Sequence, residues 1–199
     1  GNLLAEGTMK RFLLMSMLFA LAVILAGCDD KPKTGALPPA HPLTADAIGS
    51  FCNMNVLEHP GPKGQILLSG WPEPVWFSST RDTFAYTMLP EAAKNIAAIY
   101  VSDMAKAESW DNPGSENWIE AREAVFVIES EMRSGMGAEE AVPFGDRSAA
   151  ERFAAEHGGR IVGFAEVPQV YILGDGQADD PADHSAPAQL AERGAGHAH

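Results

Sequence analysis

The chain has 199 residues, 46% hydrophobic and 21% charged, with 14 Lys+Arg against 27 Asp+Glu, a net charge of −13, and two cysteines. That length accommodates one domain, or two small ones sharing a core. The acidic balance, with Lys10-Arg11 the only adjacent basic pair, excludes nucleic acid as a partner, because phosphate binding needs a clustered basic surface. Two cysteines exclude a disulfide-framework miniprotein and a cysteine-rich zinc module.

Residues 1–8 precede Met9 and read as an upstream remnant outside the fold. Lys10 and Arg11 then form a short positive region ahead of residues 12–26, a run in which only Ser16 is polar. A helix of that length spans roughly 22 Å, short of the ~30 Å hydrocarbon core, so the run suits a signal peptide over residues 9–27. Leu25-Ala26-Gly27-Cys28 resembles a bacterial lipobox, which implies lipidation of Cys28 and a protein held on the cell membrane, facing the periplasm. Cys52 is then the single free thiol of the mature chain. Exported proteins usually pair their cysteines, so an unpaired one reads as reactive or metal-ligating.

Residues 28–43, charged and proline-rich, read as a tether with nothing to bury, and residues 174–199, without hydrophobic period, as a disordered tail. Between them, residues 44–173 form the globular part. Two short apolar strands are expected at 65–69 and 75–78, separated by Gly70-Trp71-Pro72. Ser79-Thr80-Arg81-Asp82 resembles a capping box opening a helix with Phe84, Ala85, Met88 and Leu89 at helical spacing, which Pro90 ends. A buried strand follows at 95–101. The second half repeats the order: a strand at 124–128, an extended piece at 142–144, a capping-box pattern at Ser148–Glu151, a helix closed by Gly158, and a strand at 160–167. The pattern describes an α+β domain of two similar ββαβ lobes, about 50–112 and 113–173, related in pattern rather than in residue identity.

The chemistry concentrates near the start of the first lobe. Cys52-Asn53-Met54 stands just before His59-Pro60-Gly61-Pro62-Lys63-Gly64. A thiolate and a thioether two residues apart meet one ion whether the segment is a loop or a strand, in which i and i+2 share a face. Such a soft pair selects Cu(I) over Zn(II), Mg(II) or Mn(II). The competing reading is a buried Cys and Met filling core space.

Cys52-x-Met54 with the following His-Pro-Gly-Pro-Lys-Gly-Gln, then Tyr100-Val101-Ser102-Asp103-Met104, Ser134-Gly135-Met136-Gly137, and Phe153 with Glu156-His157-Gly158-Gly159, resembles the NosL family over most of residues 50–170. The family's Cys-Gly-Met signature stands here as Cys52-Asn53-Met54, and Asn tolerates the left-handed conformations that Gly allows. The resemblance implies a fold of two small ββαβ lobes like that of an organomercurial lyase. It also implies a lipoprotein that is no enzyme and that carries copper for nitrous oxide reductase in denitrification. Its partners would be that reductase, its maturation membrane complex and, through the anchor, the lipid bilayer.

Further ligand candidates accompany Cys52 and Met54. Met136 lies in a glycine-flanked turn with little local packing to join, which leaves ligation and simple exposure both open. Met104 closes a buried strand, as a ligand or as core. Met88 lies on the apolar face of its helix and reads as core. His59 either completes a three-coordinate site or shapes the turn before Pro60. His157 stands in the last turn of a helix, where a protonated imidazole meets the macrodipole, so capping competes with ligation. His184, His197 and His199 belong to the tail.

A Cu(I)-binding chaperone is the reading these residues favour. An enzyme with Cys52 as nucleophile and His59 or His157 as base is a second, although organomercurial cleavage employs two cysteines and no Cys-x-x-Cys is present for thiol exchange. A metal-free adaptor lipoprotein that docks the reductase maturation machinery is the third.

Overall fold

Gly64–Leu68 (β1) and Val75–Phe77 (β2) pair antiparallel, Gln65 opposite Trp76, across the turn at Gly70-Trp71-Pro72. The computed structural model containing them describes residues 37–174; the lipobox, Cys28 and the tail histidines lie outside the described residues. Helix α1, Thr80–Met88, opens on Ser79, whose hydroxyl accepts from the Asp82 amide at 3.0 Å, and closes at Leu89 ahead of Pro90. β3, Ile96–Ser102, returns along the other edge of β1 with Ile66 opposite Ile99. β5, Val125–Ile128, and β6, Val142–Phe144, then pair antiparallel, helix α2 covers Arg147–His157, and β7, Arg160–Gly163, returns along the other edge of β5. Strand, strand, helix, strand occurs twice, each time with its first strand at the centre of the sheet.

Several details depart from the pattern reading. β4, Trp118–Glu120, adds a fourth strand to the first sheet, in the order β2-β1-β3-β4, although the sequence places residues 113 onward with the second half. α2 is capped by Asp146, not by Ser148: the Asp146 carboxylate accepts from the Ser148 amide at 2.7 Å. Asp is as good an N-cap as Ser, and its charge suits the positive helix end. The last strand stops at Gly163 rather than 167, because β5 offers only Val125–Ile128 as partners. The chain continues as a 3₁₀ turn, Phe164–Glu166, and an unanticipated short helix α3, Gln169–Leu173. Residues 37–43, expected in the tether, lie against the first sheet. There the buried Gln65 amide exchanges hydrogen bonds of 2.8 Å with His41 N–H and C=O, Tyr100 donates to Pro38 C=O at 2.7 Å, and Leu43 is buried.

One core serves both halves. Ile66, Phe77, Phe84 and Ile99 of the first pack with Phe126, Ile128, Val162 and Ile172 of the second. Phe84 of α1 stands edge-on to Phe126 at 4.9 Å and stacked with Phe164 at 5.0 Å. Alternation along β5 turns Val127 to the opposite face, where Val142, Phe144 and Ala150 form a second cluster with Phe153 and Trp110. Met88 packs against the main cluster, as its helical position requires.

Candidate metal centre

Ile48 and Asn55 pair as an antiparallel bridge, and the chain between them reverses in a tight loop: Gly49 N–H donates to Met54 C=O, and Asn53 N–H to Gly49 C=O, both at 2.9 Å. Ser50 N–H ties the loop to Trp76 C=O at the edge of the first sheet. Asn53 makes the reversal at φ 54°, the left-handed region in which Asn substitutes for Gly. Asn53→Gly is therefore expected to leave stability nearly unchanged, whereas Asn53→Val loses about 1–2 kcal/mol, the cost of that region for a β-branched residue; chemical denaturation of the two variants measures both. A Cβ at Gly49 would lie 2.6 Å from Cys52 Sγ, so a larger residue there would displace the thiol.

The Cys52 thiol is half-buried and unpaired, with only the long contacts of a sulfur donor, 3.7 Å to Ser78 Oγ and 3.9 Å to Met54 C=O. Nothing there engages it strongly. Met54 is 40% exposed, and Ile48, Phe51 and Leu57 also present apolar surface to solvent around the loop. Phe51 rests edge-on against Phe77 at 5.6 Å.

Behind Cys52 the site becomes polar. Burial raises the pKa of the Asp82 carboxyl, and the nearby Ser79, Arg81, His59 and Ser78 act in the opposite direction. His59, following the 3₁₀ turn Val56–Glu58, thus shares an environment with Asp82, and its Nε2 is buried without a hydrogen-bond partner. The turn 134–138, closed by Ser134 N–H to Ala138 C=O at 2.8 Å, lies on His59: a Cβ at Gly135 would stand 2.6 Å from His59 Cβ. Met136, at the tip, is 53% exposed. The first lobe thus supplies Cys52, Met54 and His59, and the second lays the Met136 turn upon His59.

The remaining candidates are placed elsewhere. Met104 packs in the second cluster with Val142, Phe144 and Phe153, its N–H donating to Pro143 C=O at 3.0 Å. His157 closes α2, with Nδ1 2.9 Å from Glu131 Oε1 and its ring 4.5 Å from that of Phe153.

Two residues behind the loop escape a sequence reading. Lys63 is 2% exposed, and its ammonium donates to the carbonyls of His59 at 2.5 Å and Gly61 at 2.7 Å. Glu140, fully buried, comes from the second lobe and accepts from Arg81 N–H at 2.8 Å and Ala141 N–H at 2.9 Å through Oε1. Burial pushes the Glu140 carboxyl up to about 8 against the pull of those amides, and brings the Lys63 ammonium down to about 8 against the attraction of Glu140 and Asp111. The only hint in the sequence is the position of Lys63 within the His-Pro-Gly-Pro-Lys-Gly motif.

The NosL family profile matches residues 39–172. The copper-binding lipoprotein NosL of Achromobacter cycloclastes is 42% identical over 167 residues, covering 83% of this chain and 84% of that one. The copper-binding lipoprotein NosL of Stutzerimonas stutzeri is 30% identical over 184 residues, covering 90% and 92%. The crystal structure of the copper chaperone NosL from Shewanella denitrificans superposes with a TM-score of 0.62 at 32% identity, covering 67% of this chain and 99% of that one. On both profile and relatives, the chain belongs to the NosL family.

Proposed function

We propose that this protein is a lipid-anchored, periplasm-facing chaperone that binds Cu(I) and delivers it for assembly of the metal centres of nitrous oxide reductase, with that enzyme and its maturation membrane complex as partners. The observation that carries the reading is the Cys52 loop, a weakly engaged thiol and an exposed thioether on one reversal, followed five residues after Met54 by His59, whose buried Nε2 has no hydrogen-bond partner. Thiolate, thioether and imidazole together suit Cu(I). The names of the relatives as copper-binding lipoproteins and of the superposed structure as a copper chaperone agree with it.

In this reading, Cys52 gives up its proton to become the anionic ligand, Met54 adds a neutral sulfur held near by the chain itself, and His59 Nε2 approaches from the second side. The two sulfur ligands near the surface leave the ion open to an incoming ligand, so that it departs by exchange and no part of the fold has to open. Ile48, Phe51 and Leu57, exposed on and just after the loop, are apolar surface that the receiving protein would cover.

Cu(I) titration of the purified protein against a chromophoric chelator tests this. One equivalent held in competition supports it; failure to compete overturns it in favour of the metal-free adaptor. Among the methionines, Met54→Ala is expected to weaken Cu(I) binding more than Met136→Ala. Met104→Ala and Met88→Ala should lower the melting temperature and leave affinity nearly intact, each costing about 1–2 kcal/mol for a partly buried side chain. A loss of affinity without loss of stability in Met88→Ala would show that core and site are wrongly assigned.

A further inference from the structure

The loop that presents His59 contains a second glycine turn, Gly61 at φ 85°, and no helix or strand. The backbone from His59 to Gly61 must nevertheless hold the imidazole in one place if it is to serve as a ligand. His59 N–H caps the preceding 3₁₀ turn, donating to Val56 C=O at 3.4 Å. Gly61 N–H donates to Trp110 C=O at 2.9 Å, and His59 Cβ abuts Gly135. The carbonyls of His59 and Gly61 both end on one atom, Lys63 Nζ, at 2.5 and 2.7 Å.

Lysine is among the residues least often buried, because the ammonium loses its water. Here it is buried at 2% exposure and used to gather two carbonyls. The charges that face it are Glu140, from the second lobe, and Asp111. The backbone of Lys63 is itself held at the mouth of the first sheet, its N–H donating to Ser102 Oγ and its C=O accepting from Ser102 N–H, both at 3.0 Å. The ammonium is therefore referenced to β3, which is paired on both sides by β1 and β4, and transmits that position to the loop.

We infer that Lys63 is a positioning residue for the metal centre, its buried ammonium clamping the His59 and Gly61 carbonyls so that His59 Nε2 is held in place for the ion. The inference rests on the Cu(I) reading above. It assigns to Lys63 a role that acts through His59 and not through the metal, which a lysine in its charged form cannot ligate.

A double-mutant cycle tests it, with Cu(I) affinity measured by chelator competition for the wild type, Lys63→Met, His59→Ala and the double variant. His59→Ala keeps the carbonyl that Lys63 binds and removes only the imidazole. Lys63→Met is expected to weaken binding about 10–100-fold, the range for residues that orient a ligand, in the wild-type background, and by less than about threefold when His59 is already alanine. In the same samples, the His59 imidazole nitrogen resonances should move on Cu(I) addition in the wild type and move less in Lys63→Met. Equal losses in both backgrounds, or a wild-type His59 ring that does not respond to Cu(I), overturn the inference while the wild type still competes for copper. A wild type that does not compete overturns the copper reading with it. Should Lys63→Met fail to fold, Lys63→Gln, whose shorter side chain cannot span to both carbonyls, gives the same cycle, with a loss of at least about threefold expected that disappears in the His59→Ala background; a loss that persists there, or no loss at all, overturns the inference.

Discussion

Cys52→Ser is expected to abolish tight Cu(I) binding while leaving the fold in place. The thiol is the only group on the loop that becomes an anionic soft ligand, and a serine hydroxyl is neutral and hard near pH 7. Removing it should cost more than the ~10–100-fold that follows loss of a residue merely orienting a ligand. The fold should survive because Sγ makes only the 3.7 and 3.9 Å contacts, and the smaller oxygen leaves the hydrogen bonds of Gly49, Ser50 and Asn53 untouched. Chelator competition and thermal melting on one preparation separate the two effects. Unchanged affinity in the variant would defeat the assignment of Cys52. On the proposed ligation by the Cys52 thiolate, the wild type should release a proton on taking up Cu(I).

The second large effect concerns stability. Glu140 is a cap delivered from the other half of the molecule: its Oε1 satisfies the Arg81 amide in the first turn of α1 and the Ala141 amide. Glu140→Ala strands both amide donors, and the loss expected is about 2–4 kcal/mol, read as a drop of about 10 °C in melting temperature. Glu140→Gln keeps an acceptor oxygen and removes the titration. Burial raises the carboxyl from the ordinary 4.5 to about 8, so between those values the folded protein holds a proton that the unfolded chain has released. Stability from this group is therefore fully present below about pH 4.5 and declines as pH rises towards 8. Lys63, lowered to about 8, contributes the opposite slope only above that value. Denaturant unfolding between pH 5 and 8 should show a decline in the wild type that flattens in Glu140→Gln; an identical slope in both would mean that the carboxyl is ionised throughout.

Local chemistry made part of this architecture readable. Ser79 ahead of Asp82, Pro90 after α1 and Gly158 after α2 (at φ 74°) act through their own backbone and side chains, and each stands where its type demands. Asn53 is another such case, since its tolerance for the left-handed region stands in for glycine. β4 was not readable, because three residues become a strand only when β3 supplies their partners. The burial of Lys63 and Glu140 is hidden for a related reason. Lysine and glutamate carry a strong expectation of exposure, and only the meeting of two distant segments buries Lys63 and Glu140. Met104 shows the same limit, because a strand-end methionine looks equally suited to a site or a core until Phe153 is seen against it.

Although each ββαβ half contains a sheet and helix, and the second has a small cluster about Val127, the main core is shared: Phe84 needs Phe126 and Phe164, and the α1 terminus needs Glu140. The halves have thereby ceased to be separable modules. A polypeptide cut between β4 and β5 should give two fragments that remain unstructured apart and recover native circular dichroism only on mixing. In the intact chain, the slowest-exchanging amides of β1 and β5 should share one opening free energy, so that the ligand loop is supported by the cooperativity of the whole molecule rather than by that of the lobe carrying it.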